Sequence, residues 1–277
     1  MNTETLDQPI VADVAVSAPA VVIESAAPAV AAVAEGPNPF IALGLDGALV
    51  RAVSDLGYTQ PTEVQAKVIP LAMGSGKADE ASIDLMVSSQ TGSGKTAAFL
   101  LPVLNTLIAQ KAIEAAAEQA EFERQRAQAA ASGEAAPKRA KRKNPMQSRN
   151  FKAAVPGALV LCPTRELAQQ VAQDAIELVK HCKNLRVANV VGGMPYQLQI
   201  AKLQNADLVV ATPGRLLDLQ RSLQIKLDKV QFLVVDEADR MLDLGFADDL
   251  EEVHQMTAQR KQTMMFSATF APRIQQL

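Results

Sequence analysis

Ser88-Ser89-Gln90-Thr91-Gly92-Ser93-Gly94-Lys95-Thr96 decides how the rest of this 277-residue chain is read. Before it, Ile83 to Val87 is a short apolar run with the look of a buried strand. After it, Ala97 to Leu107 is rich in Ala and Leu and reads as a helix. A strand thus feeds a glycine-punctuated loop that opens a helix. Gly92 and Gly94 let the backbone curl so that successive N–H groups point inward, and the helix N-terminus adds orphan donors and partial positive charge. Lys95 supplies a point charge for β- and γ-phosphates, and the Thr96 hydroxyl a ligand for Mg²⁺. These residues describe a nucleoside triphosphate site. The general phosphate-loop pattern carries Gly where this chain has Ser89.

Working outward, the strand–helix alternation continues. Ala158–Leu161, Arg186–Val191, Asp207–Ala211, Phe232–Val235 and Thr263–Phe266 read as strands. Thr164–Lys180, a short segment around Ile200 and Leu203, and Leu216–Leu219 read as helices. Strands alternating with helices imply βαβ units and an α/β fold, a mostly parallel sheet flanked by helices. Ligands sit at the carboxyl ends of strands in such sheets. The polar clusters all follow strands, so they are expected to converge on one edge. Asp236, at the end of an apolar strand, is the acid that a phosphate loop needs to hold Mg²⁺. Glu237 is placed to orient or deprotonate an attacking water. The implied chemistry is in-line attack of water on a γ-phosphate, driven by positioning and charge neutralisation.

Upstream, Leu43, Leu45, Leu49, Val50, Val53 and Leu56 have helical spacing, with Gly57 ending the run. Thr62 can cap a helix through Val64, Val68 and Ile69. Gln65 carries a donor and an acceptor and so can read the N6/N7 edge of adenine. Residues 1–37, dominated by Ala, Val and Pro, read as a flexible tail. Residues 38–277 form the domain, with 109–155 as a charged, Ala-rich insertion. Within it, Ile113–Ala131 is a strong helix former with little apolar face. Pro137–Arg149 holds Lys138, Arg139, Lys141, Arg142, Lys143 and Arg149 with no acid. A solvated insertion is one reading; a nucleic-acid tether acting through counterion release is the sharper one. Deleting 137–149 without changing nucleic-acid affinity or its salt slope would dispose of the tether.

Net charge is −3, but residues 1–39 hold five acids and no Lys or Arg, leaving +2 for the rest. Cys162 and Cys182 sit in no metal or redox spacing, and Cys162 ends an apolar run as a core residue would. No apolar run approaches the ~20 residues of a membrane span. A reduced, cytoplasmic setting and a monomer without membrane association are the expectations. His181 and His254 read as surface or helix-end residues.

Several motifs together carry a resemblance. Gly57-Tyr58-Thr59-Gln60-Pro61-Thr62-Glu63-Val64-Gln65, with Phe40 upstream, resembles the Q motif of DEAD-box ATP-dependent RNA helicases. Ser89–Thr96 resembles their Walker A loop, where Ala is usual at the Ser89 position. Pro163-Thr164-Arg165-Glu166-Leu167-Ala168, Gly192-Gly193, Thr212-Pro213-Gly214-Arg215, Asp236-Glu237-Ala238-Asp239 and Ser267-Ala268-Thr269 follow in the family's order. The resemblance covers Phe40 to about Leu277 apart from the insertion.

It implies a RecA-like P-loop NTPase domain using ATP and Mg²⁺. Gln65 would select adenine, with Phe40, Tyr58 and Gln60 nearby. Ser89, Gln90, Thr91, Gly92, Ser93, Gly94, Lys95 and Thr96 would cradle the phosphates, and Thr96 and Asp236 would hold Mg²⁺. Lys95, Asp236 and Glu237 would serve hydrolysis, while Ser267 and Thr269 would couple nucleotide state to RNA. Pro163, Thr164, Arg165, Gly192, Gly193, Thr212, Pro213, Gly214 and Arg215 would line a sequence-independent RNA backbone site. The family has a second RecA-like domain supplying an arginine finger. A chain stopping just after Ser267-Ala268-Thr269 is expected to bind ATP but to be nearly inactive alone. A stand-alone nucleotide-binding scaffold module is the alternative.

Overall fold

Val160 and Leu161 are neighbours on one strand, yet they belong to different cores. Ala158, Val160 and Cys162 pack with one cluster of buried residues, Leu159 and Leu161 with another. This period-two division is what a strand buried on both faces requires. The computed structural model describes residues 21–24 (backbone only), 38–74, 83–88, 90, 92–132 and 152–269.

The strands are β1 (Val21–Glu24), β2 (Leu85–Ser88), β3 (Ala158–Leu161), β4 (Val187–Val190), β5 (Leu208–Ala211), β6 (Phe232–Asp236) and β7 (Gln262–Ser267). They form one sheet in the order β1-β2-β7-β6-β3-β5-β4. Every pairing is parallel, for example Leu85↔Met264 and Ala158↔Phe232. The helices are α1 (Gly47–Asp55), α2 (Glu63–Met73), α3 (Lys95–Ser132), α4 (Arg165–Leu178), α5 (Tyr196–Leu203), α6 (Pro213–Arg221), α7 (Ala238–Asp243) and α8 (Ala247–Met256). Buried residues of α1 to α4 cover one face of the sheet and those of α5 to α8 the other. The Phe99 and Phe266 rings meet edge-on at 5.2 Å, docking α3 on β7.

The expected α/β, parallel-sheet fold is therefore present, with three local differences. First, the helix expected over Leu43 to Leu56 starts at Gly47; Pro39–Gly44 is a run of turns. The Asp46 carboxylate accepts from the Ala48 N–H at 2.8 Å and so caps α1 there. Second, within the expected tail, Val21–Glu24 pairs with β2 as an edge strand. Its Val-Val-Ile run is strand-prone, and β2 would otherwise leave backbone groups open. The rest of 1–37 lies outside the described residues. Third, the insertion does not interrupt the chain at residue 109, because α3 runs unbroken to Ser132. Extending an existing helix costs far less than nucleating one, and the exposed part carries helix-spaced pairs such as Gln119–Glu123 and Arg124–Glu121. The basic stretch 137–149 lies outside the described residues. Helices α7 and α8 had no periodic signal strong enough to be read.

Among the described residues α3 alone is long and apolar enough to cross a membrane, and half of its apolar window is buried inside the protein. Residues 97–104 of it belong to the core. Cys162 is fully buried, and burial pushes its thiol well above the usual range, as for an unreactive core residue.

Candidate nucleotide and nucleic-acid site

Parallel pairing sends every strand's carboxyl end to the same edge, and strand order decides who meets whom there. Ser88, Ser267 and Asp236 end the adjacent strands β2, β7 and β6. Leu161, Ala211 and Val190 end β3, β5 and β4, so the Pro163, Thr212 and Gly192 segments lie together on the other half of the edge.

On the first half, the backbone at Gly92 and Gly94 has φ of +83° and +82°, the left-handed region that glycine enters freely. Lys95 opens α3 with its side chain largely buried. Its Nζ lies 3.2 Å from Asp236 Oδ1 and 3.3 Å from Glu237 Oε1. Asp236 is fully buried, and neither carboxylate oxygen accepts a well-directed hydrogen bond. Burial pushes its carboxyl above the usual carboxylate range, and Lys95 opposes the shift. A buried carboxylate with Lys95 as its counter-charge, beside the Thr96 hydroxyl, suits a hydrated divalent cation. Glu237 sits in left-handed backbone (φ +55°, ψ +54°), a conformation rare for a residue with a long side chain. Its second oxygen is 3.3 Å from Arg240 Nη1, so two cations hold one carboxylate.

Gln65 is buried, and each end of its amide makes a hydrogen bond that uses one of its two donors or one of its two lone pairs. Its Oε1 accepts from the Thr62 N–H at 3.0 Å, completing a capping box on α2. Its Nε2 donates to the Gly94 carbonyl at 3.0 Å. The residue expected to read adenine is thus tied to the glycine loop. Phe40 departs from expectation: it is 0% exposed within the core and has no face open to a base. Its apolar ring gains more from full burial than a stacking position would allow. Tyr58 is partly exposed, and burial of the rest of the side chain, with the Asp174 charge of α4 as the lesser cause, raises its phenol above the usual range. Gln60 and Gln90 are exposed, Ser93 Oγ is buried with no hydrogen-bond partner among the described residues, and Thr96 is half-buried. Ser89 and Thr91 lie outside the described residues.

Ser267 Oγ accepts from the Asp239 N–H at 3.3 Å and donates to the Thr269 carbonyl at 2.7 Å. Asp239 Oδ2 accepts from the N–H groups of Ala268 and Thr269, each at 3.2 Å. The segment after β7 is therefore fastened to the segment after β6.

On the second half, Pro163, Thr164, Arg165, Gly192, Thr212, Gly214 and Arg215 line one open groove of about 520 Å³, with Glu166, Asp218, Leu244 and Phe246. Thr164 caps α4 by accepting from the Leu167 N–H. The Arg165 side chain lies across the double glycine, where its Nη1 is 3.5 Å from the Gly192 carbonyl. A Cβ at Gly193 would fall 2.4 Å from that nitrogen. Pro213 sits at the first position of α6, where its missing N–H costs nothing. Arg240, Asp218, Leu244 and Phe246 stood outside the motifs read from sequence. Their one signal was position, since each lies within a few residues of a motif.

His181 and His254 stay away from this edge. His181 pairs with Asp55 on the surface, and His254 lies in the last turn of α8 against Arg260.

A family model described as DEAD/DEAH box helicase matches residues 62–277. The chain is 42% identical over 243 residues to the DEAD-box ATP-dependent RNA helicase 52A of Oryza sativa subsp. japonica, covering 86% of this chain and 35% of that protein. It is 38% identical over 231 residues to the ATP-dependent RNA helicase SrmB of Escherichia coli (strain K12), covering 83% and 42%. Its fold is similar to the crystal structure of a hypothetical ATP-dependent RNA helicase from Sulfolobus tokodaii, with TM-score 0.62, 33% identity, and 84% and 53% of the two chains covered. The chain spans less than half the length of these two curated relatives.

Proposed function

Because the chain belongs to the DEAD/DEAH box helicase family, we propose that it forms the ATP-binding half of an ATP-dependent RNA helicase. The observation that carries this reading is the Lys95–Asp236–Glu237 cluster on the same sheet edge as the groove of Arg165 and Arg215. The loop N–H groups and the N-terminus of α3 receive the phosphates. Lys95 then exchanges its two carboxylates for phosphate oxygens. Glu237, still held by Arg240, is free to accept a proton from the attacking water or to orient it. Thr96 and Asp236 are the residues that would hold Mg²⁺, which when bound neutralises charge on the phosphates.

Gln65 selects adenine, and because it also holds the Gly94 carbonyl, base recognition and loop shape are linked. In the groove, Arg165, Arg215, Thr164 and Thr212 offer donors to phosphates and 2′-hydroxyls without reading bases. A second RecA-like domain, as in the family, supplies the remaining charge at the γ-phosphate and the other wall of the RNA site. Turnover and unwinding belong to that two-domain assembly.

The test is ATP and GTP affinity with Mg²⁺, measured by competition against a fluorescent nucleotide. The native chain is expected to prefer ATP. Gln65→Ala should lose about 10- to 100-fold of that preference, the scale of one bidentate amide–base contact. Equal ATP and GTP binding by the native chain would remove Gln65 from base recognition.

A further inference from the structure

Arg215 is the groove arginine with an aromatic neighbour. Its guanidinium carbon lies 5.9 Å from the ring centroid of Tyr196, the first residue of α5. The ring is itself anchored, because Tyr196 Oη hydrogen-bonds Ser222 Oγ at the carboxyl end of α6. Ser222 Oγ also lies 2.7 Å from the Asp218 carbonyl, so its place is set by α6 as well. Tyr196 is 36% exposed, enough to border solvent but not to swing freely. Among the described residues the ion-pair partner of Arg215 is the exposed Asp218, at 3.8 Å, a distance at which it draws the guanidinium along α6 without fixing it. A long, rotamer-rich arginine thus has one rigid platform and one weak competing anion.

We infer that Tyr196 is a positioning residue for RNA binding: its anchored ring holds the Arg215 guanidinium in the groove, ready for a backbone phosphate. This rests on the RNA reading of the groove. An arginine over an aromatic face keeps its outward N–H groups available for an anion, since the cation–π contact uses the flat face and leaves the edge donors unspent. Tyr196 acts through Arg215 and not by stacking on a base. Nothing in the motifs of the sequence pointed to it, since it lies three residues after Gly193 and nineteen before Arg215.

The experiment is a double-mutant cycle read by fluorescence anisotropy of a short fluorescein-labelled oligouridylate, titrated over a range of salt. Arg215→Gln is expected to weaken binding and to flatten the log–log salt slope by about 0.7, the loss of one single-strand phosphate contact. Tyr196→Ala should weaken binding about 2- to 5-fold, the scale of an exposed cation–π contact, and flatten the slope in the same direction. Tyr196→Phe, which keeps the ring and drops the Ser222 bond, should stay nearer the native slope. In the Arg215→Gln background, Tyr196→Ala should have no further effect. Thermal melting of each variant reports whether it is folded, and Tyr196→Leu replaces Tyr196→Ala if the latter is not. A Tyr196→Ala effect that persists undiminished in the Arg215→Gln background would overturn the proposal in favour of direct base stacking, as would an unchanged salt slope. If Arg215→Gln itself leaves affinity and slope unchanged, the RNA reading of the groove fails instead.

Discussion

Lys95→Ala is expected to weaken ATP binding by about 10- to 100-fold, the scale of a lost hydrogen bond between charged groups. It is also expected to lower the melting temperature of the nucleotide-free chain. Lys95 is the cation beside the fully buried Asp236 and one of two beside Glu237. Removing one partner of a buried pair costs about 3–5 kcal/mol, which for a domain of this size is on the order of 10 °C. The deficit should depend on pH with a definite sign. Burial and the Glu237 charge raise the Asp236 carboxyl, and Lys95 is the opposing influence. Without it, the Asp236 carboxyl stands further above its unfolded value, so the folded variant binds a proton there more readily than the unfolded chain does. A folded state that binds more protons gains stability as pH falls and loses it as pH rises through the folded pKa. The gap in melting temperature between variant and native chain should therefore narrow on mild acidification. Unchanged melting at every pH, with ATP affinity reduced, would mean that the cluster is not an energetic unit.

Gly94→Ala carries the second large effect, and Gly92→Ala is its control. Both glycines have φ near +80°, so both substitutions meet the same left-handed strain, about 1–2 kcal/mol. Their surroundings differ. A Cβ at Gly92 meets open space, whereas at Gly94 it would lie 2.6 Å from Gln65 Nε2 and 3.0 Å from Thr62 Cγ2. Those atoms are not free to retreat, because Gln65 and Thr62 cap α2 through each other. Gly94→Ala is expected to melt well below Gly92→Ala, to lose at least about tenfold in ATP affinity as the loop opens, and to lose discrimination against GTP. Identical melting and nucleotide affinity in the two variants would show that Gln65 and the loop are not mechanically joined.

The Gln65 contact also marks where reading the sequence stops being sufficient. Its amide chemistry suggested an adenine reader, yet nothing in the spacing between Gln65 and Gly94 shows that one residue's amide closes on the other's carbonyl. Phe40 is the converse case. Its place beside a nucleotide motif suggested a base contact, and packing took it into the core, because an aromatic side chain with apolar neighbours on every side has no reason to keep a face in water.

What the sequence determined by itself is what depends on neighbours along the chain. Apolar runs followed by polar turns mark the strands from β2 to β7, and alternation with helices makes the sheet parallel. Parallel strands oblige Lys95, Asp236, Arg165 and Thr212 to share an edge. The joint order of the motifs identifies the family. Tertiary structure alone decided what depends on strand order and on side chains meeting across elements. The order β2-β7-β6-β3-β5-β4 separates the Lys95–Asp236 half of the edge from the Arg165–Arg215 half. Tyr196, nineteen residues before Arg215, reaches it only because the fold brings α5 and α6 together there. Local patterns are set by sterics and burial over a few residues. Long-range pairings are set by how whole layers pack, and no short window of sequence contains that information.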